Sequence, residues 1–332
     1  MRKNTFLILL LAGSLGSPAA GIAQPTPATA AATTPILAPA RLAHHATQAM
    51  LLASTRAGPR FVAVGDHGVV LLSDDGGKTH RQAKSVPVDS TLTSVSFVDA
   101  RQGWAAGHAG VIIHTTDGGE TWVVQRSDVR EDRPLFAVHF FDAAHGVAVG
   151  LWSLVVTTHD GGITWQTVKM PIPEGAKKAD LNLLGLFVDQ RGRIFAAAEK
   201  GMVLRSDDQG QRWNYLTTGY KGSFWTGTAT QDGTLLVAGM RGSLYRSGND
   251  GRSWERIETG SKSSITSLAA SAAHVVAVGL DGLMLDSDDA GSTFTAHVRS
   301  DHLPLTTLTL DDKGQPILYS RQGVATNNPT EK

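Results

Sequence analysis

The sequence contains no cysteine. Disulfides, thiolate zinc ligands, thiol nucleophiles and the lipidated cysteine of a bacterial lipoprotein are therefore excluded. Charge is sparse at 18% of residues, and the 30 basic and 30 acidic side chains cancel. No global field directs the chain to nucleic acid or to an anionic membrane surface. Only four of the 332 residues are tyrosine. The one apolar run that stands out, Phe6 to Ala12, follows the basic pair Arg2 and Lys3. It is too short to span a bilayer as a mature helix. With the small-x-small sequence Gly21-Ile22-Ala23 ahead of Gln24, it predicts a secretory signal over residues 1–23. Its removal leaves no membrane-inserted segment and places the protein in a periplasm or outside the cell. Residues 24–40 (QPTPATAAATTPILAPA) are rich in Pro, Ala and Thr and read as an exposed linker.

Glycine, by contrast, is abundant at 36 residues, which suits tight turns and short strands. Six segments share the pattern Ser/Thr-x-Asp-x-Gly-x-Thr-Trp. They begin at Ser73, Thr115, Thr158, Ser206, Ser247 and Ser287, at intervals of 42, 43, 48, 41 and 40 residues. Periods of this size indicate propellers or solenoids. In each segment a carboxylate (Asp75, Asp117, Asp160, Asp208 and Asp289, with Asn249 in the fifth) is placed to accept hydrogen bonds from its own turn. His80 in place of Trp, Asn249 in place of Asp and Arg212 in place of Thr are each expected to weaken one turn without changing the architecture.

Four short strands recur around each segment, for example TLTSVSFVD, GWAAGH, VIIHTT and TWVVQRS. Four strands in about 40–45 residues match a propeller blade. Residues 303–326 supply three strands of a further unit with no box after them. The prediction is an all-β, seven-bladed β-propeller of four-stranded antiparallel blades over residues 41–328. An N-terminal strand from about Ile36 to Leu42 is expected to complete the last blade and close the ring. Six blades with a ragged tail is the alternative.

The runs SVSFVDARQGWAAGHAGVIIHTTDGGETW and AVHFFDAAHGVAVGLWSLVVTTHDGGITW resemble the photosystem II stability and assembly factor family of BNR, or Asp-box, repeat proteins. The resemblance covers roughly residues 45–327. It implies a seven-bladed propeller in an exported compartment, a thylakoid lumen where the organism is photosynthetic. It also implies a chaperone-like role toward a protein client, and no enzymatic activity. An arginine-rich client patch belongs to the same implication, although the patch has no residue-by-residue match here.

Structural repetition accounts for what is constant, so a site is sought in what varies. The turns between second and third strands, and the connections between blades, differ from unit to unit and share one face. There Arg130, Arg133, Trp152, Lys200, Tyr220, Trp225, Arg241 and Arg321 give a basic and aromatic bias. Arginine and aromatic residues are favoured at protein–protein hot spots. The expected partner is a protein, such as a membrane protein or membrane complex, bound by a monomeric scaffold with no cofactor, metal or nucleic acid. A periplasmic accessory protein of a transporter or envelope complex is the alternative client assignment. A sialidase-type glycosidase is the enzymatic rival, since sialidases carry Asp boxes. It would need an arginine cluster, a tyrosine nucleophile and a paired glutamate. The Phe/Tyr-Arg-Ile-Pro start is absent, and Asp99, Asp142 and Asp189 occupy equivalent turns, which makes them turn residues. No HExxH or calcium-loop pattern is present, and the adjacent pair His44-His45 points its side chains apart in an extended chain.

Overall fold

A computed structural model describes residues 37–326. The expected signal (1–23), residues 24–36 of the linker and residues 327–332 lie outside the described residues. Seven antiparallel sheets follow one another along the chain, each made of consecutive strands. Blades 1 to 7 cover residues 51–82, 92–126, 135–167, 183–217, 224–257, 265–298 and 305–325. The architecture is the predicted seven-bladed propeller.

The second strand of a blade has neighbouring blades on both faces. It is therefore apolar without alternation, as buried strands are. Gly103–Gly107 (GWAAG), Gly146–Gly150 (GVAVG) and Ile194–Ala198 (IFAAA) are buried at every position. The cores lie between blades: Phe187 and Phe195 of blade 4 pack with Phe224 and Leu235 of blade 5. Outer strands are short and polar, such as Arg81–Gln82 and Gln166–Thr167, which limits edge-to-edge pairing.

Each box is a closed hydrogen-bonded turn between the third and fourth strands. In blade 1 the Ser73 hydroxyl donates to Asp75 Oδ1 (2.9 Å) and accepts from Gly77 N–H (2.9 Å). Asp75 also accepts from Thr79 N–H (2.9 Å) and the Thr79 hydroxyl (2.6 Å). Trp122, Trp213 and Trp254 donate their indole N–H groups to the carbonyls of Gly119, Gly210 and Gly251. Two of the substituted boxes keep the bonds of the turn itself. Arg212 Nε replaces the threonine hydroxyl at 2.7 Å from Asp208 Oδ2. Asn249 accepts from Ser253 N–H (3.0 Å) and donates to the Ser253 hydroxyl (2.8 Å).

Every box also rests on the blade before it. A Cβ on Gly119 would lie 3.1 Å from Leu72, one on Gly251 2.7 Å from Leu216, and one on Gly291 2.7 Å from Leu236. Blade 1 has no preceding blade in the sequence and uses the last one. A Cβ on Gly77 would lie 2.8 Å from Ile317 of blade 7. His80 stands where the other boxes carry an aromatic ring, and its Nε2 is 3.2 Å from the hydroxyl of the fully buried Tyr319. The two rings meet edge to face.

The rest of the seam is polar. The Thr306 hydroxyl donates to Leu51 O (2.5 Å), and the Ser54 and Thr309 hydroxyls are 2.7 Å apart. Among the described residues, the ring closes where the first strands of blades 7 and 1 pack against each other. Blade 7 has three strands among the described residues. The fourth strand expected from about Ile36 to Leu42 is not formed over residues 37–42, and Ile36 lies outside the described residues. The reason lies on blade 1. Its outer strand has only two residues, and Leu37 and Ala40 pack onto the apolar core around Val86 and Val88. Ala40 N–H donates to Val86 O (3.0 Å), while the Gln82 side chain holds Arg41 O and Ala43 N–H at 2.9 Å each.

Burial and turn bonding together predict acid sensitivity in two windows. The Thr79, Thr164 and Thr293 side-chain hydroxyls, followed by their amides, hold Asp75, Asp160 and Asp289 down to about 2, below the ordinary value of 3.8. Carboxyls depressed in the fold stabilise above their unfolded values, and that contribution is lost as pH falls from 3.8 through about 2. His139 is the opposite case. Burial pushes it from 6.5 to about 4, so the unfolded chain binds its proton more tightly. Stability is therefore lost between pH 6.5 and 4 as well. Thermal midpoints measured from pH 7 to 2 should fall in both windows. His139→Leu should shrink the upper one, to which His80 and His114, also lowered by burial, contribute in the same direction, and leave the lower one.

Candidate functional site

The first residue of each turn between second and third strands donates its N–H to the carbonyl just ahead of the first strand. Asp66 bonds Met50, His108 bonds Thr91, Leu151 bonds Pro134, and Leu280 bonds Ser264, at 2.9–3.1 Å. These turns and the start of every first strand thus share one face, opposite the boxes. In blades 1 to 6 the next two residues both have positive φ, the mark of a type I′ hairpin turn. The pairs are His67-Gly68, Ala109-Gly110, Trp152-Ser153, Lys200-Gly201, Arg241-Gly242 and Asp281-Gly282. The second residue faces the connection to the next blade. A Cβ on Gly68 would lie 1.9 Å from Val88 O, and one on Gly201 2.1 Å from Tyr220 O. The first residue projects outward, free to vary.

Three of the residues singled out in the sequence occupy that outward position: Trp152, Lys200 and Arg241. Trp152 is 60% exposed. Arg321 is exposed on the tight turn of blade 7. Arg130 is exposed on the connection between blades 2 and 3, where Arg133 is half-buried and paired with Glu131 at 2.8 Å. Arg126, the last residue of blade 2's outer strand, bonds Gly110 O and Asp128 and is part of the framework. Trp225 is not on a connection. It lies in the first strand of blade 5, Phe224–Ala229.

Two of these residues meet in one pocket of about 560 Å³ in blade 5. It is lined by Tyr220, Lys221, Met240, Arg241, Tyr245 and Arg256, among others. Tyr220 donates its hydroxyl to Met240 O (3.1 Å) and stands 5.6 Å from the Tyr245 ring. Arg256 lies 3.5 Å from Glu258. Lys221 and Arg241 have no ion-pair partner among the described residues.

A second cavity, of about 440 Å³, is the central channel. Every blade carries a β-bulge one residue into its first strand. Bulges re-aim side chains, and here the bulged residues Leu52, Thr93, Phe136, Leu184, Trp225, Thr266 and Thr306 all line the channel. The threonines tie adjacent blades together. Thr93 donates to Leu135 O of blade 3 (2.8 Å), and Thr266 to Leu305 O of blade 7 (2.9 Å). None of the described lining residues is titratable.

The carboxylates that a glycosidase would recruit are committed elsewhere. Asp99 accepts from the N–H groups of Arg101 and Gln102 (2.7 Å each), and Asp142 from those of Ala144 and His145. Backbone bonds, from Gln102 and from Ala144 first, hold both carboxyls below the usual range, unsuited to a proton donor. Sequence reading missed Phe136, Leu184, Tyr245 and Arg256. The first two were detectable by aligning the strand starts LLA, LTS, LFA, LLG, FWT, ITS and LTT, whose middle residues vary most in character.

The family model described as Photosynthesis system II assembly factor YCF48 matches residues 50–130 and 123–278. No curated protein matches the chain in sequence. Among solved structures, the fold is similar to that titled "YCF48 bound to D1 peptide", with a TM-score of 0.69 and 20% identity over 88% of this chain and 96% of that one. YCF48 from Cyanidioschyzon merolae superposes with a TM-score of 0.67 and 18% identity, over 84% and 94% of the two chains. The β-propeller domain of Cps50 (Swd1) from Myceliophteria thermophila gives 0.64 and 14%, over 83% and 94%.

Proposed function

From the premise that the chain belongs to the photosystem II assembly factor YCF48 family, we propose that it is an exported, non-enzymatic scaffold that holds a protein client on its loop face. A solved YCF48 carries a D1 peptide, which supports a protein client for this chain too. The observation that carries the reading is the set of outward turn residues Trp152, Lys200 and Arg241, beside a pocket whose Lys221 and Arg241 have no ion-pair partner among the described residues. Desolvated arginine and aromatic side chains are what protein interfaces use as anchors. The described lining of the channel holds serine and threonine hydroxyls, with no titratable side chain beside them of the kind a hydrolase uses to activate its nucleophile. The client is proposed to belong to a membrane complex, met by a monomeric propeller after signal removal. No helix of the described residues is long and apolar enough to cross a membrane.

Replacement of Arg130, Arg133, Arg241 and Arg321 together by alanine tests the reading. Pull-down from the native envelope fraction should recover at least about tenfold less client, as loss of hot-spot residues does. Unchanged recovery by a folded variant would refute it.

A further inference from the structure

Of the seven bulged residues at the channel mouth, three are threonines and four are apolar; Leu52 of blade 1 is the apolar one that stands apart, between threonine-bearing blades. In blades 2, 6 and 7 they are threonines, two of which donate to their own blade's second strand and all of which donate to the next blade's first carbonyl. In blades 3, 4 and 5 the same position holds Phe136, Leu184 and Trp225. Those blades forgo the inter-blade bond and present half-buried apolar side chains to an open cavity instead. Packing does not require this, since threonine serves the identical backbone site in three other blades. The turns of the same three blades carry Trp152, Lys200 and Arg241, whereas blades 6, 1 and 2 present Asp281, His67 and Ala109. The three adjacent apolar bulges of blades 3 to 5 therefore lie under the turns that carry Trp152, Lys200 and Arg241, while Leu52 of blade 1 and the exposed Arg321 of blade 7 stand outside this sector. Lys200, Lys221 and Arg241 have no ion-pair partner there among the described residues.

We infer that this sector binds an extended acidic peptide segment, with one aromatic or aliphatic side chain inserted into the channel mouth against Phe136, Leu184 and Trp225. Its flanking carboxylates face Lys200, Lys221 and Arg241. The inference rests on the loop-face reading above and adds the chemistry of what is bound. Unpaired cations around an apolar recess complement a chain that is negative on either side of an apolar residue. The bulge register places the recess in the channel, while the turns hold the charges at its rim.

Fluorescence anisotropy with three labelled probes tests it on the purified mature protein. The first probe is a peptide of alternating aspartate and glutamate around one central phenylalanine. The second has alanine for that phenylalanine, and the third has lysine for the acids. The first should bind, the second about tenfold or more weaker, and the third not at all. The variant F136T/L184T/W225T adopts the residue used by the other blades. It should keep its thermal midpoint and lose at least about tenfold in affinity for the first probe. W225T alone, the least perturbing of the set, should show part of that loss. K221Q/R241Q should weaken binding and reduce its salt dependence. Failure of wild type to bind the first probe, equal binding of the alanine probe, or full binding by W225T would overturn the inference. Client recovery lost in the four-arginine variant but retained in F136T/L184T/W225T would overturn this inference and leave the loop-face reading standing.

Discussion

Tyr319→Ala should cost about 3–5 kcal/mol, the range for truncating a fully buried aromatic side chain. For a domain of this size that lowers the thermal midpoint by on the order of 10 °C. Tyr319 packs with Leu51, Ala63 and Leu71 of blade 1, so the cavity opens in the seam. The hydroxyl can be separated from the ring. Tyr319→Phe removes only the contact with His80 Nε2 at 3.2 Å and should cost about 1 kcal/mol, the usual net worth of one hydrogen bond. Denaturant melts of both variants give the two numbers. Equal losses, or a Tyr319→Ala loss below about 1 kcal/mol, would mean that the seam does not hold the ring together.

Gly68→Ala should destabilise by about 2–5 kcal/mol. Part of this, about 1–2 kcal/mol, is the left-handed backbone at φ +67°. The remainder is steric, since the new Cβ would sit 1.9 Å from Val88 O and the connection to blade 2 must move. Blade 3 supplies an internal control. Ser153 occupies the same turn position at φ 55° with a side chain, its N–H donating to Leu181 O at 2.7 Å and its hydroxyl to the same oxygen at 3.2 Å. The longer connection there makes room for a Cβ, so Ser153→Gly should stay within about 1 kcal/mol of wild type. A similar change at both sites would show that the close approach, rather than φ, had been misread.

The parts of the fold that were legible in the sequence are those whose chemistry is local. A box closes on itself within a few residues, so Ser73, Asp75, Gly77 and Thr79 announce the turn without help from the rest of the chain. The spacing of such turns then yields the blades. The seam was not legible, because it depends on partners far apart. His80 looks like a lost tryptophan until Tyr319 is placed against it. Residues 37–42 satisfy the offset for a closing strand, yet Gln82 and the apolar surface around Val86 draw them onto blade 1. The candidate site was half legible. Outward turn positions follow from the hairpin geometry, which put Trp152, Lys200 and Arg241 in view. Trp225 was recognised as unusual but assigned to a connection, because a bulge leaves no mark in one strand's sequence. Only comparison of all seven strands exposes it.

Leaning each box on the blade before it gives the ring a sense of rotation, and that has a consequence for its manufacture. A chain emerging from its N-terminal end can seat blade 2 on blade 1, blade 3 on blade 2, and so on, each step supported by what is already built. Blade 1 alone has nothing to lean on. Its counterparts, Ile317 and Tyr319, follow His80 by about 240 residues. The first unit to be made is therefore the last to be finished. Until blade 7 arrives, the assembly is an open stack with one raw end at each terminus, and a chain interrupted before Ile317 lacks two blades' worth of burial even though only one blade is missing. Exposure to proteases or holding factors is set by that interval, which ends in a single closing event.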